Sequence, residues 1–377
     1  MDVVRGWHEV PQHVKGGSLA IGTLDGVHRG HRAVLDAAKA KARLGGIRAG
    51  AMIFEPYPRK YFQPQKSFFR LTPLARKLEL LSECGLDFTA VIPFDKTLAE
   101  LTAPEFVRQV LTEGFVVRHA SVGYNFFFGK GRGGNPGVLA EEGRIHGFGV
   151  TVVEAQGAAG DMFSSTRIRE LLAQGDVSAA AEMLGSWWRI SGVIEGGAGR
   201  GTVMGFPTAN IRLEEGVTLM HGIYAVHAYL DGQQLKGAAY LGTRPTFDAG
   251  LPLLEIFLFD FEGDLYGKTL EVEFIDFIRN DLKFRSMEAL AVQIADDCAK
   301  AKTSSIAWPT ALPPGPLERN SPVWPTGEPG AHRFAIRHPA RVLDHFACIW
   351  FSLRCLYCLV ADYRKRRLAG RLTALTH

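Results

Sequence analysis

No disulfide framework is written into this chain. Its 377 residues carry five cysteines, Cys84, Cys298, Cys348, Cys355 and Cys358, an odd number without regular spacing in the body. That excludes the small, stapled secreted folds and fits a reducing cytoplasm. An N-terminal apolar run is also missing: residues 1–16 mix charges with Trp7 and Pro11. They do not read as a secretory signal, and the first strand is expected near Ser18. A broad basic face is absent as well. The formal charge is +4, but residues 303–377 hold ten Lys and Arg against four Asp and Glu, leaving residues 1–302 at 33 against 35. So slightly acidic a body lacks the clustered cations that neutralise a nucleic-acid backbone, and no nucleic-acid partner is expected. Small phosphates stay open.

What is present is ordinary globular material, 46% hydrophobic and 22% charged, in a chain long enough for two cores. Apolar, β-rich runs at 18–24, 49–54, 88–94, 119–124 and 150–154 alternate with helical periodicity at 74–84 and 104–111. Such alternation predicts an α/β domain with a parallel sheet, whose ligands sit at the carboxyl ends of the strands. From about Trp188 the texture changes to strands at 222–230, 235–241, 254–259 and 270–277, with an Asp231-Gly232 turn. Tight turns without long intervening helices predict an antiparallel sandwich or barrel, closed by a helix from Met287 to about Lys300.

The expected divisions are 1–186, 187–302 and 303–377. The last begins Pro-rich, with seven prolines from Pro309 to Pro329, and reads as a linker. It leads to an apolar stretch at 343–363, interrupted by Asp344 and Arg354 and followed by Arg364-Lys365-Arg366-Arg367. A charge in mid-segment is costly inside a bilayer, so an interfacial or partner-docking helix is favoured over a span. The alternative is an extension without function.

Two motifs carry chemistry. Gly22-Thr23-Leu24-Asp25-Gly26-Val27-His28-Arg29-Gly30-His31 ends the first strand run and opens a helix with Val34, Leu35 and Ala38 on its apolar face. Gly30 lets the backbone approach a phosphate, and the helix N-terminus adds unpaired N–H donors. The two imidazoles are then placed to stabilise charge on an α-phosphate under attack. Structural capping and a zinc pair are the alternatives, although a zinc site lacks further ligands at suitable spacing. Phe163-Ser164-Ser165-Thr166-Arg167-Ile168-Arg169 places a hydroxyl cluster at a second helix start, a site for the phosphates that leave or else a plain N-cap.

The second motif is Gly196-Gly197-Ala198-Gly199-Arg200-Gly201-Thr202-Val203-Met204-Gly205-Phe206-Pro207-Thr208-Ala209-Asn210. It lacks the P-loop lysine, yet its glycines permit close approach to phosphates. Thr208 and Asn210 supply hard oxygens of the kind Mg²⁺ accepts.

The first motif, with Phe54-Glu55-Pro56-Tyr57-Pro58 and Ser164-Ser165-Thr166-Arg167-Ile168-Arg169, resembles the adenylyltransferase half of prokaryotic bifunctional riboflavin kinase/FAD synthetases. The resemblance implies a Rossmann-like nucleotidyltransferase domain. It implies ATP binding by Gly22, Asp25, Gly30, Ser164, Ser165, Thr166, Arg167 and Arg169, with His28, His31 and Asn125 at the reacting phosphates. Tyr57 stands where the family commonly has His, and Phe127 where it often has Arg.

Phe206-Pro207-Thr208-Ala209-Asn210 resembles the signature of riboflavin kinases. The similarity continues through Gly222-Ile223-Tyr224-Ala225-Val226, Gly242-Thr243-Arg244-Pro245-Thr246-Phe247 and Asp264-Leu265-Tyr266-Gly267. It implies a six-stranded antiparallel barrel with Glu255 as catalytic base and Thr208 and Asn210 on Mg²⁺. ATP would lie against Gly199, Gly201, Gly205 and Pro207, and flavin against Gly222, Tyr224, Arg279 and Phe284. Read without the family, Glu255 is more commonly an outward-facing strand carboxylate. The activity implied is riboflavin to FMN and FMN to FAD, both with ATP. A kinase alone, or a flavin-binding protein without turnover, is the alternative.

Overall fold

The computed structural model describes residues 1–158, 161–196, 208–214, 216–243 and 252–307. The expected ATP contacts Gly199, Gly201, Gly205 and Pro207, and the tail beyond Ala307, lie outside them.

In the first half, strands and helices alternate. β1 (Asp2–Arg5), β2 (Ser18–Ile21), α1 (Arg29–Gly45), β3 (Ala49–Glu55), α2 (Pro58–Phe62) and α3 (Leu74–Glu83) come first. β4 (Phe88–Pro93), α4 (Lys96–Glu100), α5 (Ala103–Phe106), β5 (His119–Gly123), α6 (Pro136–His146) and β6 (Gly149–Val153) follow. The strands form one parallel sheet in the order β1-β4-β3-β2-β5-β6. β2 is buried along its length, and β3 and β4 all but at their last residue. A sheet covered on both faces makes strands of this kind continuous apolar runs. Val34, Leu35 and Ala38 of α1 and Leu80 and Leu81 of α3 cover one face. Phe106, Val107, Val110 and Leu111 cover the other, in a helical run whose turns widen to π geometry over Val107–Gly114.

β1 corrects the expectation that strands begin near Ser18. It is a four-residue edge strand beside β4 with only Val4 buried, so it leaves no apolar run to read.

A two-residue hairpin, β7 (Gly157–Ala158) and β8 (Asp161–Met162), precedes α7 (Ser165–Ala173) and α8 (Val177–Leu184). Then come β9 (Arg189–Glu195), β10 (Ala209–Arg212), β11 (Gly222–Leu230), β12 (Gln233–Thr243), β13 (Pro252–Leu258), β14 (Thr269–Arg279) and α9 (Met287–Ala307). The six strands close into an antiparallel barrel in the order β10-β13-β12-β11-β14-β9. Period-two alternation sends Tyr224, Val226 and Ala228 of β11, Leu254 and Ile256 of β13, and Val272 and Phe274 of β14 inward. Asp231 and Gly232 join β11 to β12 with φ of 50° and 83°. Positive φ at both central residues is what a two-residue hairpin needs to match strand twist. α9 packs Cys298 and Ala301 against Ala225, Ala238 and Phe259 on the barrel's outer surface.

The two folds share one apolar cluster. Phe69, Leu71, Ile168 and Leu172 join the barrel residues, and Trp188 stacks on Phe274 at 5.2 Å. Trp188 also donates its indole N–H to the Leu71 carbonyl at 3.0 Å, and the Met220 N–H donates to the Leu172 carbonyl at 3.1 Å. The expected boundary at 186 falls between α8 and β9.

Candidate active sites

In the parallel sheet, chain order reverses between β2 and β5, which opens a crevice at their carboxyl ends. A cavity of about 830 Å³ lies there. Gly22, Thr23 and Leu24 after β2 and the loop 123–129 after β5 line it. The starts of α1 and α7 both reach it, through His28, Gly30 and His31 and through Ser164, Ser165 and Thr166. Two helix N-termini facing one cavity give it unpaired N–H donors and partial positive charge, the setting a phosphate chain requires. Asn125 lines the same cavity.

His28 caps α1, its Nδ1 accepting the His31 backbone N–H at 3.3 Å, and the two rings stack with centroids 3.6 Å apart. An accepting Nδ1 leaves the neutral ring's proton on Nε2, which is then a donor. Burial, with the Arg169 charge second, pushes the His28 pKa down to about 4. Burial also holds His31 well below its ordinary value, followed by the charges of His28 and Lys77. Both rings are thus neutral near pH 7. A Cβ on Gly30 would lie 3.1 Å from the His28 ring and 3.3 Å from the Phe163 carbonyl, so the motif's glycine makes room for this packing. Capping and phosphate contact are therefore compatible roles for His28. Among the described residues, no three His, Cys, Asp or Glu side chains gather as a metal would need.

Asp25 does not line the cavity. It is 0% exposed and accepts from the Leu71 and Thr72 N–H groups at 3.2 and 3.1 Å and from the Thr72 hydroxyl at 3.3 Å. It also pairs with Arg169, whose remaining N–H groups donate to the Phe69 and Ser165 carbonyls at 2.6 and 3.0 Å. The pair ties the glycine-rich loop, the 69–72 segment and the start of α7 into one unit, and Ser165 Oγ adds a donation to the Asp25 carbonyl at 2.9 Å. Arg167 stays outside the cavity beside Asp161 and Glu170.

Six phenylalanines also line the cavity, Phe54, Phe62, Phe94, Phe106, Phe126 and Phe128, their rings in contact from one to the next. Tyr57 stacks on Phe68 with centroids 4.7 Å apart, and Phe127 lies under the Arg132 guanidinium at 4.4 Å. Helix N-termini and an aromatic wall in one cavity suit a ligand that carries both phosphates and a ring system.

On the barrel, cross-strand register aligns Glu195, Asn210, Glu255, Tyr240, Ile223 and Arg279 in one row. Ala209, Ile211, Leu254 and Ile256 point inward, so Asn210 and Glu255 face outward side by side. Asn210 is only 3% exposed, and its Oδ1 has no hydrogen-bond partner among the described residues, while its Nδ2 lies 3.4 Å from the Thr208 carbonyl. A buried, unpartnered oxygen beside a carboxylate fits a hard cation. Arg279 forks onto Asp297 of α9 at 2.8 and 2.6 Å, with Phe284 at 5.9 Å from its guanidinium. Tyr224 lies inside the barrel, edge-on to Phe274 and Phe277, with its hydroxyl donating to the Met220 carbonyl. Burial raises its pKa. Gly222 opens the same strand opposite Leu241.

Comparison with known proteins divides the chain as its folds do. Residues 10–167 match the FAD synthetase family and residues 184–305 the riboflavin kinase family. A bifunctional riboflavin kinase/FMN adenylyltransferase of Haemophilus influenzae is 39% identical over 303 residues, 80% of this chain and 98% of that one. That of Escherichia coli K12 is 38% identical over 299 residues, 79% of this chain and 96% of the other. The chain belongs to the bifunctional riboflavin kinase/FMN adenylyltransferase family.

A crystal structure described as a macrolide-efflux protein from Streptococcus pneumoniae has the same fold, with a TM-score of 0.73 at 25% identity over 82% of this chain and 100% of that chain. No helix among the described residues of the present chain is long and apolar enough to cross a membrane. Three cations at the first site escape a motif-based reading. Arg59 and Arg132 line the cavity, and Lys77 is buried behind it. Arg132 had a signal, since it sits in the glycine-basic run Gly129-Lys130-Gly131-Arg132-Gly133.

Proposed function

We propose that this chain makes FAD from riboflavin in two ATP-dependent steps, the first on the outer face of the barrel and the second in the α/β cavity. The observation that carries the reading is the stacked His28–His31 pair at the start of α1, in a cavity lined also by the Ser164–Thr166 helix start and by an aromatic wall. In the second step an oxygen of the FMN phosphate attacks the α-phosphate of ATP. A P–O–P bond forms, the α–β bridge breaks and pyrophosphate leaves. The His28 Nε2–H, and the N–H groups at the starts of α1 and α7, stabilise the charge that gathers on phosphate oxygens. The flavin ring lies against the aromatic wall, and the Asp25–Arg169 pair holds the two helix starts in register.

In the first step the 5′-hydroxyl of riboflavin attacks the γ-phosphate of ATP and ADP leaves. Glu255, adjacent to Asn210 across β10 and β13, takes the hydroxyl proton. Mg²⁺ belongs to this proposal: Thr208 and Asn210 would hold it, and its charge would screen the phosphates. Arg279 and Phe284 bound the flavin side, while Tyr224 shapes it from within the barrel. A cytoplasmic setting suits Cys84 and Cys298, both free thiols.

Variants separate the steps. His28→Ala with His31→Ala should abolish FAD formation from FMN and leave FMN formation from riboflavin, and Asn210→Ala should do the reverse. Loss of both activities in either folded variant refutes one chemistry per fold.

A further inference from the structure

We propose that Lys77 is a positioning residue for adenylyl transfer: from beneath the Gly22-Thr23-Leu24 loop, its ammonium fixes the Thr23 carbonyl and sets the electrostatics of the His28–His31 pair. The inference rests on the adenylyltransferase reading of the cavity.

Lys77 sits on the apolar face of α3, one turn before Leu80 and Leu81, and is 1% exposed. A lysine ammonium is seldom placed so deep, because taking it out of water costs several kcal/mol unless partners replace the water. Its Nζ donates to the Thr23 carbonyl at 2.9 Å. Thr23 lies in the loop after β2 that lines the cavity beside His28, so the bond holds phosphate-facing backbone from behind.

Charged groups on three neighbouring segments face Lys77. Burial pushes the Lys77 pKa down; Asp25 of the glycine-rich loop and Glu55 at the end of β3 counter it, and Arg70 adds to it. Each carboxylate is already engaged by an arginine, Asp25 by Arg169 and Glu55 by Arg70 at 3.2 Å. Three cations therefore meet two anions, and the surplus positive charge lies under the loop. His31 of α1 feels it, since Lys77 is one of the charges that disfavour a proton on that ring. A fixed cation behind the loop favours the phosphate chain in front and keeps the histidine pair as neutral donors, without being displaced by substrate.

The test compares the native chain, Lys77→Met and Lys77→Arg in FAD formation from FMN and ATP along the acid limb of the pH profile. Riboflavin phosphorylation by the same samples reports on the rest of the molecule. Lys77→Met should lower kcat for FAD formation about tenfold with KM for FMN unchanged. Its acid limb should move to higher pH, because the ring no longer faces the cation. Lys77→Arg should keep the native limb, and FMN formation should be unchanged in both. An unmoved limb or a native kcat in Lys77→Met overturns the inference, as does a limb in Lys77→Arg that follows the methionine variant.

If Lys77→Met does not fold, Lys77→Gln, which keeps a donor for the Thr23 carbonyl but carries no charge, takes its place: an acid limb moved to higher pH supports the inference, and a native limb overturns it. A native chain that makes FMN but no FAD refutes the adenylyltransferase reading together with this inference. Native FAD formation with variants that behave alike refutes the inference alone.

Discussion

Replacing Asp25 with Asn removes one charge from the buried pair that joins the glycine-rich loop to α7. The carboxylate accepts from Leu71 N–H and Arg169 through one oxygen and from Thr72 N–H and Oγ1 through the other. An amide has only one oxygen, so its NH₂ must face either the Leu71 N–H and Arg169 or the Thr72 N–H. The second orientation costs less, yet it still sets donor against donor at Thr72, whose hydroxyl already accepts the Gly26 N–H at 3.0 Å. It also leaves Arg169 without its anion. Breaking a buried pair from one side costs about 3–5 kcal/mol. Arg169 keeps its bonds to Phe69 and Ser165 and is 17% exposed, so the low end applies, roughly 3 kcal/mol. For a domain of this size that is a fall in Tm of roughly 6–12 °C. Calorimetry should show the drop, and FAD formation from FMN should fall with it while FMN formation from riboflavin continues. A native melting profile with native FAD formation would refute the view that this pair holds the site together.

The other predictions are smaller. Gly30→Ala brings a Cβ within 3.1 Å of the His28 ring and 3.3 Å of the Phe163 carbonyl, so the ring must shift by a few tenths of an ångström. FAD formation should fall about tenfold with FMN formation unchanged, measured on the same sample. Stability should also depend on the histidines. A His28 pKa of about 4 in the folded chain, against 6.5 when unfolded, means the unfolded chain takes up the proton first as pH falls. That contribution is present above 6.5 and lost between 6.5 and about 4, at up to about 1.4 kcal/mol per pH unit, and His31 acts in the same direction. Urea unfolding at pH 7 and at pH 5 should show a larger loss for the native chain than for His28→Ala with His31→Ala, and equal losses would contradict the assignment.

How much of this was legible depended on burial. β2 to β5 read correctly because strands covered on both faces are continuous apolar runs. β1 did not, since only Val4 faces the core. β10 has four residues and follows a glycine-rich run, so the barrel's strand count came from resemblance and not from pattern. At the first site, His28, Gly30, His31 and the Ser164–Thr166 hydroxyls announced themselves by local context, and the structure brings them to one cavity. That Asp25 and Arg169 would meet each other, 144 residues apart, has no local signature. Lys77 carried a faint one, a cation on the apolar face of α3. Tyr224 shows the reverse: in a strand of period two, position alone decides between cavity and core, and it shares the inward face with Val226 and Ala228.

The most direct test of the whole account is chromatographic separation of riboflavin, FMN and FAD after incubating the full chain with riboflavin, ATP and Mg²⁺. The account predicts that FMN rises first and FAD follows at its expense, with ADP and then pyrophosphate released. A folded protein that consumes no ATP and yields neither FMN nor FAD would contradict it.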